Sequence, residues 1–186
     1  MIEVRWHGRG GQGAWTASNL LAMAVSYEGK YVQSFPAFGP ERSGAPVLAF
    51  TRISDEPIDL HSMVYEPDIV VVLDYTLLGS RAIVEGLKKN GIIITNYVSD
   101  PGTVYDAIGI SKGEYRVYTC PASELALEIL KRPITNTAML GALLKAQPLV
   151  KLESVFKAIQ VRFPGPIAEK NIELVKRAYE ETKEVK

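Results

Sequence analysis

The sequence predicts an α/β fold in which a mostly parallel sheet is flanked by helices. Three observations carry this. The first two thirds alternate strand-like segments with helices or loops, the order that builds a layered parallel sheet. Two apolar runs, Ile69 to Leu73 and Ile92 to Ile94, lack a polar face and mark strands covered on both sides. The last third carries only helical patterns.

Ile2 to Trp6 alternates apolar with charged residues and reads as the first strand. Gly8 to Gly13 is a glycine-rich turn. Ala14 to Tyr27 has Leu20, Leu21, Met23, Ala24 and Tyr27 at helical spacing, and Gly29 stops that helix. Lys30 to Ser34 and Val47 to Ile53 read as the second and third strands, separated by a Pro/Gly loop from Phe35 to Pro46. The run ending at Leu73 leaves the sheet at Asp74. Leu77 to Lys89 is predicted as a helix, Gly91 to Tyr97 as a buried strand, Asp100 to Gly113 as a loop, and Tyr115 to Thr119 as a further strand. Helices follow over Ser123 to Lys131, Thr137 to Ala146 with Asn136 as its cap, Leu152 to Arg162, and Ile167 to Lys183. No repeat, low-complexity tract or linker interrupts the chain. The whole, residues 1–186, is expected to form one Rossmann-like, three-layer domain with a helical C-terminal third.

Composition removes several functions. Lys plus Arg and Asp plus Glu are 21 each, so the net charge is zero, without the basic excess typical of a nucleic-acid binder. Cys120 is the one cysteine, which excludes an internal disulfide and a four-thiolate iron–sulfur site held by this chain. His7 and His61, the two histidines, have no ligand-like spacing, so no metal site is expected. No apolar run approaches the roughly 20 residues of a membrane helix. The amino terminus reads as a strand rather than a signal segment, and a reduced, cytoplasmic setting is expected.

The residues that invite chemistry begin with Gly8-Arg9-Gly10-Gly11-Gln12-Gly13. Gly8, Gly10 and Gly13 satisfy GxGxxG in the required context, with a strand before and a helix after. Glycines let the backbone turn tightly and approach an anion, the helix-start amides face the ligand, and Arg9 adds a forked cation. A dinucleotide site also wants an acid at the end of the second strand, where this chain has Tyr31-Val32-Gln33-Ser34. Two readings therefore stand: contact with an anion or nucleotide phosphate, or glycines that only permit close packing. Phe38 to Pro46 places Glu41 beside Arg42 on a loop fixed by two prolines and two glycines, either a recognition loop or a solvated turn. Asn136 to Ala142 reads as a capped helix start with small residues suited to close packing, within the chain or against a partner. Cys120 reads as a small buried residue rather than a nucleophile.

GRGGQG directly after the first strand, then FGPERSGAPV at 38–47, then NTAMLGA at 136–142, resembles the gamma subunit of pyruvate:ferredoxin oxidoreductases, in the same order and over nearly the whole chain. Ser43 departs from the second basic residue expected after Arg42. The resemblance implies a subunit of an enzyme that oxidatively decarboxylates a 2-oxoacid, joins the acyl group to coenzyme A and reduces ferredoxin. It implies partners in the alpha, beta and delta subunits. Thiamine diphosphate and magnesium are expected between alpha and beta, and iron–sulfur clusters on beta and delta. On this chain it implies a coenzyme A contact. Gly8, Arg9, Gly10, Gly11, Gln12 and Gly13 form the phosphate path and Arg42 its rim, with no catalytic residue and no metal ligand.

Three function classes follow. The first is a noncatalytic, ligand-contacting subunit of a pyruvate synthase. The second is a purely architectural subunit, including one of a branched-chain 2-oxoacid enzyme. The third is a stand-alone NAD(P)-binding enzyme, which GxGxxG alone would support and the missing acid opposes.

Overall fold

The computed structural model describes residues 1–37, 43–97 and 99–186. Seven strands form one sheet: β1 (Ile2–Arg9), β2 (Tyr31–Pro36), β3 (Pro46–Ser54), β4 (Ile69–Val72), β5 (Ile92–Asn96), β6 (Arg116–Cys120) and β7 (Lys183–Val185). Their order is β2-β3-β1-β4-β5-β6-β7. β1, β4, β5 and β6 run parallel, whereas β3 is antiparallel to both its neighbours and β7 is antiparallel to β6. The mostly parallel α/β fold expected from the sequence is the one observed. The crossover from β1 to β2 skips one place in the sheet, and β3 fills it.

One face is covered by α1 (Ala14–Tyr27), α3 (Ala122–Leu130), α4 (Asn136–Ala146), α5 (Leu152–Arg162) and α6 (Gly165–Glu181). The period-2 alternation of the strands sends Val4, Trp6, Val71 and Ile94 into this core. α4 is its centre, buried along nearly its whole length. A Cβ on Gly141 would collide with the backbone of Val175, so the glycine lets α4 lie directly on α6. The small residues of Asn136 to Ala142 thus serve packing inside the chain. Glu28, just past the end of α1, accepts bonds from the Lys151 N–H and the Ser154 hydroxyl, both 2.7 Å, and ties α1 to the start of α5.

The opposite face is thinner. Val70, Val72, Ile93 and Val117 pack there against Leu78, Ile83 and α2 (Val104–Ile108). The helix expected over 77–89 is replaced by two 3₁₀ turns, Tyr75–Leu77 and Arg81–Ile83. Asp74 and Ser80 accept from the amides two residues on, which competes with helix propagation. Gly86 has φ +71° and packs so closely on the Tyr65 carbonyl that a side chain has no room. Carbonyls that a helix would have bonded internally need other donors. Arg5, buried in β1, supplies them: its Nη2 donates to the carbonyls of Ala82 (2.9 Å), Ile83 (3.2 Å) and Glu85 (2.8 Å). Arg52 does the same nearby, donating to Met63 O at 3.1 Å and to Glu3 Oε1 at 2.8 Å. Two buried arginines thus fasten irregular chain over the sheet.

Two further departures are local. The expected loop over 100–113 contains a 3₁₀ turn and the short α2. The last helix ends at Glu181, and the chain then adds β7 to the edge of β6.

Candidate functional site

β1 delivers the glycine loop to the carboxyl ends of the parallel strands, where ligands of open α/β sheets bind. Gly11 (φ 93°) and Gly13 (φ 79°) take left-handed backbone. Gly13 is also the N-cap of α1 and lacks a capping side chain. A Cβ there would stand 2.5 Å from Asn136 Nδ2, so its bareness lets the starts of α1 and α4 converge. Neither α1 nor α4 has a side-chain cap. Two sets of helix-start amides are thereby brought together at one end of the sheet, a positive environment built from backbone alone. A Cβ on Gly8 would meet only ordinary contacts at 3.4 Å and beyond.

The two polar side chains of the loop are engaged. Arg9 Nε lies 3.3 Å from Asp74 Oδ2, its Nη1 donates to Gly44 O at 3.1 Å, and its Nη2 donates to Thr76 Oγ1 at 2.9 Å. Gln12 Nε2 donates to the same Asp74 oxygen at 2.6 Å, and its Oε1 accepts from the Arg9 amide at 2.8 Å. The loop also meets the stretch before β3: Gly10 N donates to Ala45 O at 2.8 Å and Gly44 N to Gly10 O at 3.1 Å. Burial alone would raise the Asp74 pKa. Hydrogen bonds from Thr76 and Gln12 and the Arg9 charge outweigh it and hold the carboxyl below its ordinary value. Asp74 therefore stays ionised and offsets the Arg9 cation. Its place at the end of β4 was visible in the sequence, but this role was not.

Arg9, Gly10, Gly11 and Gly13 line a cavity of about 280 Å³, closed by Trp15, Pro36 and Leu48 among others. Gly8 and Gln12 stand behind it and shape the loop. Trp15 is 52% exposed and presents aromatic surface beside the helix start. Arg42, with Phe38 to Glu41, lies outside the described residues. The topology also bears on the dinucleotide reading. With β3 between β1 and β2, the end of β2 stands two strand spacings, about 10 Å, from the first strand. The usual ribose-binding geometry, from an adjacent second strand, is not available here.

The groups able to do acid–base or thiol chemistry are committed elsewhere. His7 Nε2 accepts from Arg5 Nε at 2.9 Å, and burial followed by the Arg5 charge lowers its pKa to about 3, so it is a neutral structural acceptor. Cys120 is fully buried at the end of β6, and burial raises its thiol to about 12. Asn96 Nδ2 donates to Leu73 O at 2.9 Å and Thr135 Oγ1 to the same carbonyl at 3.3 Å, which locks the end of β4 to the start of α4. Among the described residues no three His, Cys, Asp or Glu side chains cluster as a metal site.

The family model described as pyruvate ferredoxin/flavodoxin oxidoreductase matches residues 3–181. The chain belongs to that family. Among relatives of this oxidoreductase family, it is 52% identical over 182 residues to the pyruvate/ketoisovalerate oxidoreductases common subunit gamma of Pyrococcus furiosus, covering 98% of this chain and 97% of that one. It is 50% identical to the pyruvate synthase subunit PorC of Methanocaldococcus jannaschii, covering 97% of each chain. The crystal structure of pyruvate oxidoreductase subunit PORC from Thermotoga maritima superposes with a TM-score of 0.89 at 44% identity, covering 100% of this chain and 98% of that one. The oxidoreductase-family resemblance expected from the three sequence motifs is thereby established.

Proposed function

We propose that this chain is the gamma subunit of a pyruvate:ferredoxin oxidoreductase and that its glycine loop contacts coenzyme A. The observation that carries the subunit reading is the full-length similarity to gamma and PorC subunits. The chemistry of the chain agrees with it, because His7 and Cys120 are tied into the core and offer neither a base nor a nucleophile. A single buried thiol does not fit an iron–sulfur cluster, so no electron-transfer step is routed through this chain. In this reading thiamine diphosphate, magnesium and the clusters belong to alpha, beta and delta partners, and ferredoxin accepts the electrons of the whole assembly. The common-subunit name borne by the Pyrococcus relative extends the reading: one gamma chain serves pyruvate and branched-chain enzymes, and the choice of 2-oxoacid is made on the partners.

For coenzyme A the support is geometric. The amide of Gly11 and the uncapped start of α1 suit a phosphate. Trp15, Pro36 and Leu48 supply a wall for the less polar parts of the molecule. Because Asp74 already offsets the Arg9 charge, the amides and helix dipole hold the anion, and Arg9 acts chiefly by holding the loop shape. Arg42 is assigned to the rim on its sequence position alone.

The test is an assembled enzyme carrying Arg9→Ala, assayed for pyruvate-dependent reduction of ferredoxin. The KM for coenzyme A should rise, while decarboxylation of the 2-oxoacid without coenzyme A stays intact. Trp15→Ala should act in the same direction. If both variants keep the parent KM, the loop is architectural only.

A further inference from the structure

A second cavity, of about 350 Å³, opens on the other side of Asn136, where the turn between α3 and α4 meets the corner between α5 and α6. Leu130, Ile134, Phe163 and Ile167 form its apolar walls. Arg132 and Lys170 also line it and are exposed to solvent, and neither forms an ion pair among the described residues. The inner end carries Asn136, which is only 6% exposed. Its Oδ1 accepts from the Thr137 N–H at 2.8 Å, and its Nδ2 is turned toward Gly13. The positive end of the α4 helix dipole lies at the same place.

The cavity also does not end at its mouth. Ile134 and Ile167 are 37% and 51% exposed, Leu127 (57%) lies one helical turn before Leu130, and Val161 (66%) lies two residues before Phe163. Apolar surface that continues outward from a slot is left uncovered by a small ligand and is covered by a polypeptide. Unpaired cations around it select an acidic one.

We propose that this cavity is the docking site for an acidic segment of a partner subunit. That segment inserts one apolar side chain between Ile134, Phe163 and Ile167 and sets its carboxylates against Arg132 and Lys170. The proposal rests on the subunit reading above. It adds where the assembly grips this chain and by what chemistry, at a site separated from the glycine-loop cavity by Gly13 and Asn136.

The test uses the complex co-expressed from all its subunits. Ile167→Cys is labelled with a benzophenone maleimide, since Cys120 is buried and does not compete. Illumination should crosslink it to a partner segment that has Asp or Glu within a few residues of the attached apolar residue. Combined Arg132→Glu and Lys170→Glu should weaken assembly roughly tenfold or more and flatten its dependence on salt, while Lys89→Glu, at another exposed cation, should not. An intact complex with no intersubunit crosslink and unchanged assembly of the double variant overturns the docking site and leaves the subunit reading standing. A crosslink to a segment without acidic residues, or to a second copy of this chain, overturns it as well. A chain that never co-purifies with partners removes the subunit reading itself, and the docking site with it.

Discussion

Lowering the pH from 7 to 5 should remove about 2 kcal/mol of folding stability through His7 alone. His7 is buried in β1, accepts a hydrogen bond from Arg5 Nε, and sits within reach of that guanidinium's charge. Burial first and Arg5 second move its pKa from 6.5 to about 3. The unfolded chain therefore takes up a proton that the folded chain refuses between those two values. Wherever the unfolded state binds more protons, stability rises with pH. The contribution is complete above 6.5 and is lost progressively as pH falls toward 3. At pH 5 the unfolded histidine lies about 1.5 units below its own pKa, and each unit is worth about 1.4 kcal/mol, which gives the figure above. The window is clean because the carboxylates held low, Asp74 and Glu28, respond only further down, within and below the carboxylate range. Urea unfolding at pH 7, 6 and 5 in a His61→Gln background measures it. His7→Gln, whose carbonyl can still accept from Arg5, should lose stability at pH 7 but show none of the 7-to-5 slope. An equal slope in both proteins would refute the reasoning.

Other expectations concern the loop and the core. Gly13→Ala should cost about 1–3 kcal/mol, since it strains left-handed backbone and strikes Asn136, and a double-mutant cycle with Asn136→Ala should recover part of that in urea unfolding. Asp74→Asn should change overall stability by less than about 1 kcal/mol, because Arg9 is a third exposed, yet amide exchange at Gly10 to Gly13 should quicken as the clamp loosens. Gly141→Ala should lower the thermal midpoint by the equivalent of about 1–3 kcal/mol, as α4 is pushed off α6. The Cys120 thiol should stay silent to an aromatic disulfide reagent in the folded chain and react once in denaturant.

Much of the architecture was legible in the chain because burial leaves a period. The apolar runs at Ile69 and Ile92, the helical spacing after Gly13, and the span 152–162 all match the elements observed. Segment 77–89 misled because its apolar spacing is helical while its backbone is not. The competition is won by Asp74 and Ser80 capping short turns and by Arg5 taking the freed carbonyls, and Arg5 is distant in sequence. β7 was missed because three polar-edged residues form a strand only when β6 offers them an edge.

The same division holds at the site. Sequence alone determined that a glycine turn follows the first strand and starts a helix, that one cysteine and two histidines cannot hold clusters, and which family the motifs resemble. These are matters of local backbone chemistry and of counting. Tertiary structure decided what the loop residues do. Asp74 reaches Arg9 and Gln12 from the neighbouring strand and turns an expected anion hook into a clamp, leaving the backbone amides as the positive feature. Gly13 is bare because Asn136 arrives from 123 positions away along the chain, a distance that only the packing of α4 against α1 brings to contact. Ion pairs and close approaches between distant segments leave no periodic trace, so their partners are fixed only when the sheet and helices assemble.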